Sequence, residues 1–199
     1  KIYGKNVDVA VRSSATAEDL PGASFAGEQE SYLGIRGAEE ILVAARATMA
    51  SLFTDRAISY REDRGFDHFK VGLSVGVQKM VRSDRACSGV MFSLDTESGF
   101  PNVVLINGSW GLGEMIVKGE VTPDEFFVWK EGLNKNVSHP IIEKKLGVKM
   151  HKMIYHHGKS IQQTKVIKTT KQEQDSFVLT DREIEKLARW AVIIEKHYT

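Results

Sequence analysis

The chain has 199 residues, 42% of them apolar, and its 27 basic and 26 acidic side chains leave a net charge of +1. Such a length buries one substantial core or two small ones, and the near balance of charge argues against a dedicated nucleic-acid or membrane-surface protein. The single cysteine, Cys87, excludes an internal disulfide, and no apolar run reaches the roughly 18 residues of a membrane span.

Val7, Val9 and Val11 alternate with Asp8, Ala10 and Arg12, which predicts a strand. A loop of small residues, Ser13 to Glu28, follows it. Ala38 to Phe53 reads as an amphipathic helix with Ile41, Ala45, Thr48, Met49 and Leu52 near one face, and Thr54 to Arg64 as a second helix broken at Gly65. Val71 to Val81 and Cys87 to Leu94 are valine-rich strands separated by the polar turn Arg82 to Arg85. Val103 to Ile106 and Phe126 to Trp129 add two more strands, the second ending at a Glu131-Gly132 turn, and the glycine-punctuated segment Gly108 to Glu114 between them leads into a short helix. From Ile141 to Lys171, eight lysines stand against one acid, Glu143, among short β-like pieces. Thr180-Asp-Arg-Glu183 is a capping box ahead of Ile184, Leu187, Ala188 and Ala191 at helical spacing. Together these predict an α+β fold, with a largely antiparallel sheet and flanking helices. The chain opens without Met or a signal-like segment and closes within a helical pattern. The expectation is a portion of a longer, cytoplasmic polypeptide with Cys87 as a buried structural thiol.

For chemistry, Arg12 ends an apolar strand ahead of a loop whose small side chains let backbone N–H groups close around phosphate oxygens. A fixed guanidinium there makes paired hydrogen bonds to phosphate. Spacing alone favours a plainer account, a strand-end arginine in a salt bridge, because the segment is neither a Walker A motif nor a GxGxxG turn. Taken alone, Gln78 is a solvent-facing strand residue and Met80 a core gap-filler. Gly111, Gly113 and Glu114 fit phosphate or metal surroundings and ordinary helix-end stabilisation equally well. Asp95 and Glu97 read as a turn after a strand, and Arg56 and Arg61 as surface ion-pairing residues of a helix. His156 and His157 are adjacent, so on a strand they point to opposite faces and do not share a metal. No catalytic residue and no metal ligand is assigned. A rival reading makes the lysine-rich 141–171 surface a polyanion-binding module. Its scarcity of aromatics, with Tyr155 alone, opposes that.

The strings VAVRSSATAEDLPGASFAGEQESYL, SLFTDRAISYR, VGVQKMV, SGVMFSLDTESGF, SWGLGEMIVKGEVTPDEF and IEKHY run collinearly from about Asp8 to Tyr198. Together they resemble the N-terminal domain of the phosphoenolpyruvate synthase family, and the lysine-rich stretch carries the resemblance least. Pyruvate phosphate dikinase and rifampin phosphotransferase have similar N-terminal domains, but DTESGF and VTPDEF point to the synthases. The resemblance implies part of an ATP-grasp-like domain that binds ATP with magnesium and passes a phosphoryl group to a histidine on a separate swivelling domain. A barrel domain then phosphorylates pyruvate, giving phosphoenolpyruvate, AMP and phosphate. The resemblance further implies an ATP contact at Arg12, close approach to the phosphates at Gly27 and a hydroxyl near the nucleotide at Ser31, where a relative has Thr. Gln78 and Met80 fall in the segment that lines adenine, where strand backbone offers a donor and an acceptor and an apolar side chain packs the ring. None of His68, His139, His151, His156, His157 and His197 has the Gly/Thr-rich setting of the family's phosphohistidine. The implied picture is that residues 1–199 fall within the nucleotide domain. The carrier and pyruvate domains, an ATP-contacting lysine and the magnesium-holding acid then lie outside it, and the full-length protein is a homo-oligomer that binds neither nucleic acid nor membrane.

Overall fold

The computed structural model describes residues 3, 4, 6–15, 31–135, 137–156 and 163–198. They fall into two compact units, Lys1–Val81 with Tyr155–Thr164 and Arg82–Ile154 with Lys165–Thr199. The ladders of both larger sheets are antiparallel, as the composition of strands and turns predicts.

In the first unit, β1 (Val9–Ala15) is the central strand between β2 (Tyr32–Ile35) and β3 (Leu73–Lys79). The predicted strand therefore continues past Arg12 into the Ser13-Ser14-Ala15 segment expected to be loop; residues 16–30 lie outside the described part. One face of β1 carries Val9 and Val11, which bury against Ile35 and against Ala44 of α1 (Ala38–Ala50). The buried stripe of α1 runs through Ile41, Ala44, Ala45 and Thr48, one step round from the expected face, and leaves Met49 53% exposed. The helix tightens into a 3-10 turn at Ser51–Phe53, and Thr54 then caps α2 (Asp55–Arg64), its hydroxyl accepting from the Ala57 N–H. Gly65 ends α2 in the left-handed region (φ 67), which glycine enters without a Cβ clash. Arg61 corrects the sequence reading: it is not a surface residue but fully buried. The cause is local, because its guanidinium donates to the carbonyl of Leu52 in the 3-10 turn and, through Nε, to His68 Nδ1 at 2.9 Å.

The second unit is built on the meander β4 (Cys87–Phe92), β5 (Val103–Trp110), β6 (Asp124–Trp129) and β7 (Ile141–Lys145). β3 and β4 are thus not hairpin partners, since β3 pairs along its length with β1 and β4 with β5. β5 absorbs Gly108 to Trp110, leaving only Gly111 to Gly113 as a turn before α3 (Glu114–Val117). The expected Glu131-Gly132 turn lies inside α4 (Lys130–Asn134). β8 (His151–Tyr155) and β9 (Thr164–Lys168) form a two-stranded sheet, and α5 (Lys171–Gln174) precedes α6 (Asp181–Tyr198). The capping box stands as read: Thr180 N–H donates to Glu183 at 2.8 Å and Glu183 N–H to the Thr180 hydroxyl at 3.4 Å. α6 lays Ile184, Ala188, Ala191 and Val192 over Val104, Ile106, Phe126 and Val128. Cys87 packs beside this core and donates to the Val178 carbonyl at 3.4 Å, and burial pushes its thiol pKa up, as suits an unreactive structural cysteine.

Candidate functional site

Gly27 lies outside the described residues; Arg12, Ser31, Gln78 and Met80 are all described. Because Val9 and Val11 turn toward α1, strand alternation turns Ala10, Arg12 and Ser14 to the opposite face. Across the β1–β3 ladder, Ala10 pairs with Gln78, Arg12 with Gly76 and Ser14 with Ser74, and directly opposed residues share a face. Arg12 and Gln78 are therefore diagonal neighbours on one face, at a spacing of roughly 7–8 Å. Ser31 immediately precedes β2, whose Tyr32 pairs with Val11, so one further step of that antiparallel register would bring Ser31 to Arg12. Arg12, Ser14, Ser31, Gly76 and Gln78 are all exposed.

The electrostatics of this face favour an anion. Asp8, on the same face, has its carboxylate held by the Arg36 guanidinium in a two-pronged pair, with Nη2 to Oδ2 at 2.9 Å. Among the described residues no carboxylate pairs with Arg12, so the salt-bridge account of it finds no partner there. The assembled groups are a planar five-donor cation, a serine hydroxyl, a primary amide and a glycine that leaves room beside them. The three side chains can donate to phosphate oxygens.

The phase of the ladder assigns the backbone groups at the edge. The Met80 N–H donates to the Asp8 carbonyl at 2.9 Å and is committed within the sheet. Alternation then turns the N–H and C=O of Lys79 away from β1, toward the side of β3 that pairs with no other strand among the described residues. The half-buried side chain of Met80 stands at the end of that edge. Sequence reasoning does not single out Lys79 or Gly76, because their parity follows from a pairing register that one strand's sequence does not contain.

Among the remaining candidates, Glu114 and Asp95 make local contacts. Glu114 starts α3 and pairs with Lys118 one turn on. The Asp95 carboxylate accepts from the Ser98 hydroxyl and from the Glu97 N–H at 3.2 Å. Those bonds hold its pKa below the usual carboxylate range, and it organises the β4–β5 turn. In the 141–171 stretch Lys144 pairs with Asp181, Lys145 with Glu125 and Glu143, Lys152 with Glu173 and Lys171 with Asp175. Lys149 is not solvated at all; it is fully buried against Asp124. Most of the positive charge is thus neutralised locally. His157 lies outside the described residues, and among the described residues no three His, Cys, Asp or Glu side chains converge as a metal site. Among the described residues no helix is long and apolar enough to cross a membrane.

The whole chain, residues 1–199, matches the family described as the pyruvate phosphate dikinase AMP/ATP-binding domain. Phosphoenolpyruvate synthase of Aquifex aeolicus (strain VF5) is 63% identical over 193 residues, which cover 97% of this chain and 22% of that protein. The phosphoenolpyruvate synthase of Helicobacter pylori is 57% identical, and that of Escherichia coli (strain K12) 54% identical, each over 98% of this chain and 24% of its own length. The chain thus spans less than a quarter of the length of these relatives.

Proposed function

Because the chain belongs to the pyruvate phosphate dikinase AMP/ATP-binding domain family, we propose that it is the ATP-holding part of a longer phosphoenolpyruvate synthase. That enzyme converts ATP, pyruvate and water to phosphoenolpyruvate, AMP and phosphate through a phosphohistidine. The observation that carries the reading is the shared open face of β1 and β3, where Arg12, Ser31 and Gln78 meet around Gly76. On this reading the Arg12 guanidinium holds phosphate oxygens by paired hydrogen bonds, and the Ser31 hydroxyl adds a donor. Gly27 brings backbone N–H groups against the same phosphates. Gln78 and Met80 flank the adenine, with the Lys79 backbone reading its polar edge. The fold is then an ATP-grasp-like domain in part, and the carrier-histidine and pyruvate domains lie outside residues 1–199. We place the full-length enzyme in the cytoplasm as a homo-oligomer.

The described residues do not fit a magnesium site: Asp8, the acid on the Arg12 face, is tied to Arg36, and no other carboxylates converge there. The ion that accompanies ATP would be held by residues outside the described part. The local pairing of the lysines weighs against the polyanion-binding alternative. The test is to incubate the full-length gene product with pyruvate and ATP labelled at the β- or γ-phosphate. The expected result is label in phosphoenolpyruvate from the β position and in free phosphate from the γ position. Release of γ-phosphate with ADP, independent of pyruvate, would contradict the assignment.

A further inference from the structure

Asp8 is the only acid between Val7 and Ala15, and it stands on the Arg12 face because Val9 and Val11 fill the core beside α1. Val9 pairs with Ile35 on one side and with Lys79 on the other, so one step back Asp8 lies between Arg36 and Met80. The contacts agree with that register. The Asp8 carbonyl accepts from the Met80 N–H at 2.9 Å, and its carboxylate accepts from Nε and Nη2 of Arg36, the second at 2.9 Å. Arg36, Asp8 and Met80 therefore form a row across the ends of β2, β1 and β3, with Gln78 and then Arg12 in the rows that follow.

The charge of this row matters because of where it lies. The Asp8 side chain is only 11% exposed, so water screens its carboxylate poorly, whereas that of Arg36 is 45% exposed. At about 3.3 Å per residue, Asp8 is roughly 13 Å along the strand from Arg12. A nucleotide with its base at Met80 and its phosphates at Arg12 lies within that span, alongside the carboxylate. A bare Asp8 would repel such an anion. Joined to Arg36, the pair carries no net charge.

We propose that Arg36 is a positioning residue for ATP: it cancels the charge of Asp8 and so keeps the β1–β3 face attractive to a triphosphate, acting through Asp8 rather than by contact with the ligand. The inference rests on the reading of that face as the ATP site. The same two-pronged bond also ties the end of β2 to β1. Substitutions that change the charge while keeping a hydrogen bond separate the two roles.

Equilibrium binding of ATP and of AMP to the full-length gene product tests it. Arg36→Gln leaves a donor for the carboxylate but no cation, and should weaken ATP binding about tenfold and AMP binding less, because repulsion grows with the charge of the ligand. Raised salt should narrow the loss. Arg36→Lys, which keeps the cation, should bind ATP as the wild type does. Adding Asp8→Asn to Arg36→Gln removes the stranded charge and should restore binding. Wild-type affinity in Arg36→Gln, equal losses for ATP and AMP, or no recovery in the double variant would overturn the proposal and leave the pair a tie between strands. Should Arg36→Gln fail to fold, Asp8→Asn alone decides: it should bind ATP at least as tightly as the wild type, and weaker binding would overturn the proposal. A wild-type protein that binds no ATP would instead overturn the reading of the face as a nucleotide site, and this proposal with it.

Discussion

Arg12 stands directly opposite Gly76 in the β1–β3 ladder, so the guanidinium rises beside a strand position that carries no side chain. A Cβ at Gly76 would meet nothing closer than the Arg12 carbonyl oxygen at 3.8 Å, an ordinary contact. Gly76→Val should therefore fold, and valine suits an edge strand. It should nonetheless weaken ATP binding by the intact enzyme about tenfold, or ~1.4 kcal/mol, by crowding the phosphate side of Arg12. Calorimetric titration beside a thermal melt checks this; unchanged affinity would place the phosphates elsewhere.

Met80 and Met91 distinguish the proposed nucleotide edge from the core. Met80 is half-buried at the end of β3, whereas Met91 packs against the core beneath α6. Met80→Asp should chiefly weaken ATP binding by setting an unpaired charge against the base, and Met91→Asp should chiefly lower the melting temperature. Equal losses of melting temperature, with no selective loss of binding, would return Met80 to a packing role.

The sequence made some of this legible and hid the rest for definite reasons. The capping box at Thr180 and the alternation at Val7 to Val11 are local signals; the helix starts where its signal predicts, and the strand forms from Val9, running on to Ala15. The burial of Arg61 was illegible because its partners, the Leu52 carbonyl and His68, come together only once the 3-10 turn forms. The burial of Lys149 within the lysine-rich stretch was illegible because its partner, Asp124, lies 25 residues earlier on β6. At the site, the motif pointed to Arg12, Ser31 and Gln78 one at a time. Their placement on one face, and the roles proposed for Gly76 and Lys79, required the register between β1, β2 and β3.

Asp124 and Lys149 form a fully buried ion pair, and the Asp124 carboxylate also accepts from the backbone N–H of Gly147 and of Val178, each at 2.8 Å. One carboxylate thus ties β6 to the segment after β7 and to the approach to α6. Lys149→Met removes the cation and strands the carboxylate, at a cost of about 3–5 kcal/mol in urea unfolding. Adding Asp124→Asn should restore part of it, because an amide needs no countercharge. A Lys149→Met variant as stable as the wild type would show that the pair contributes nothing.

Glu183 accepts from the Thr180 N–H and hydroxyl, and those bonds, the backbone one foremost, hold its pKa below the usual glutamate value. A depressed carboxylate pKa contributes stability above the unfolded value that is lost as pH falls through the folded one. That loss should begin near pH 4.3, the usual glutamate value, and deepen below it. Thr180→Ala should cost about 1 kcal/mol at neutral pH and flatten the acid limb of stability against pH, since it removes the hydroxyl bond. Parallel acid limbs in wild type and variant would assign the dependence to other carboxylates.

The most direct test of the nucleotide site is Arg12→Ala in the full-length enzyme, with the two half-reactions measured separately. Formation of AMP and phosphoenzyme from ATP should slow by an amount equivalent to about 2–4 kcal/mol, as for other preorganised electrostatic contacts. Phosphoryl transfer from phosphoenolpyruvate back to the carrier histidine should proceed at the wild-type rate, because it does not use the ATP site. A variant in which both half-reactions fall together, or in which neither does, would contradict the placement of the triphosphate at Arg12.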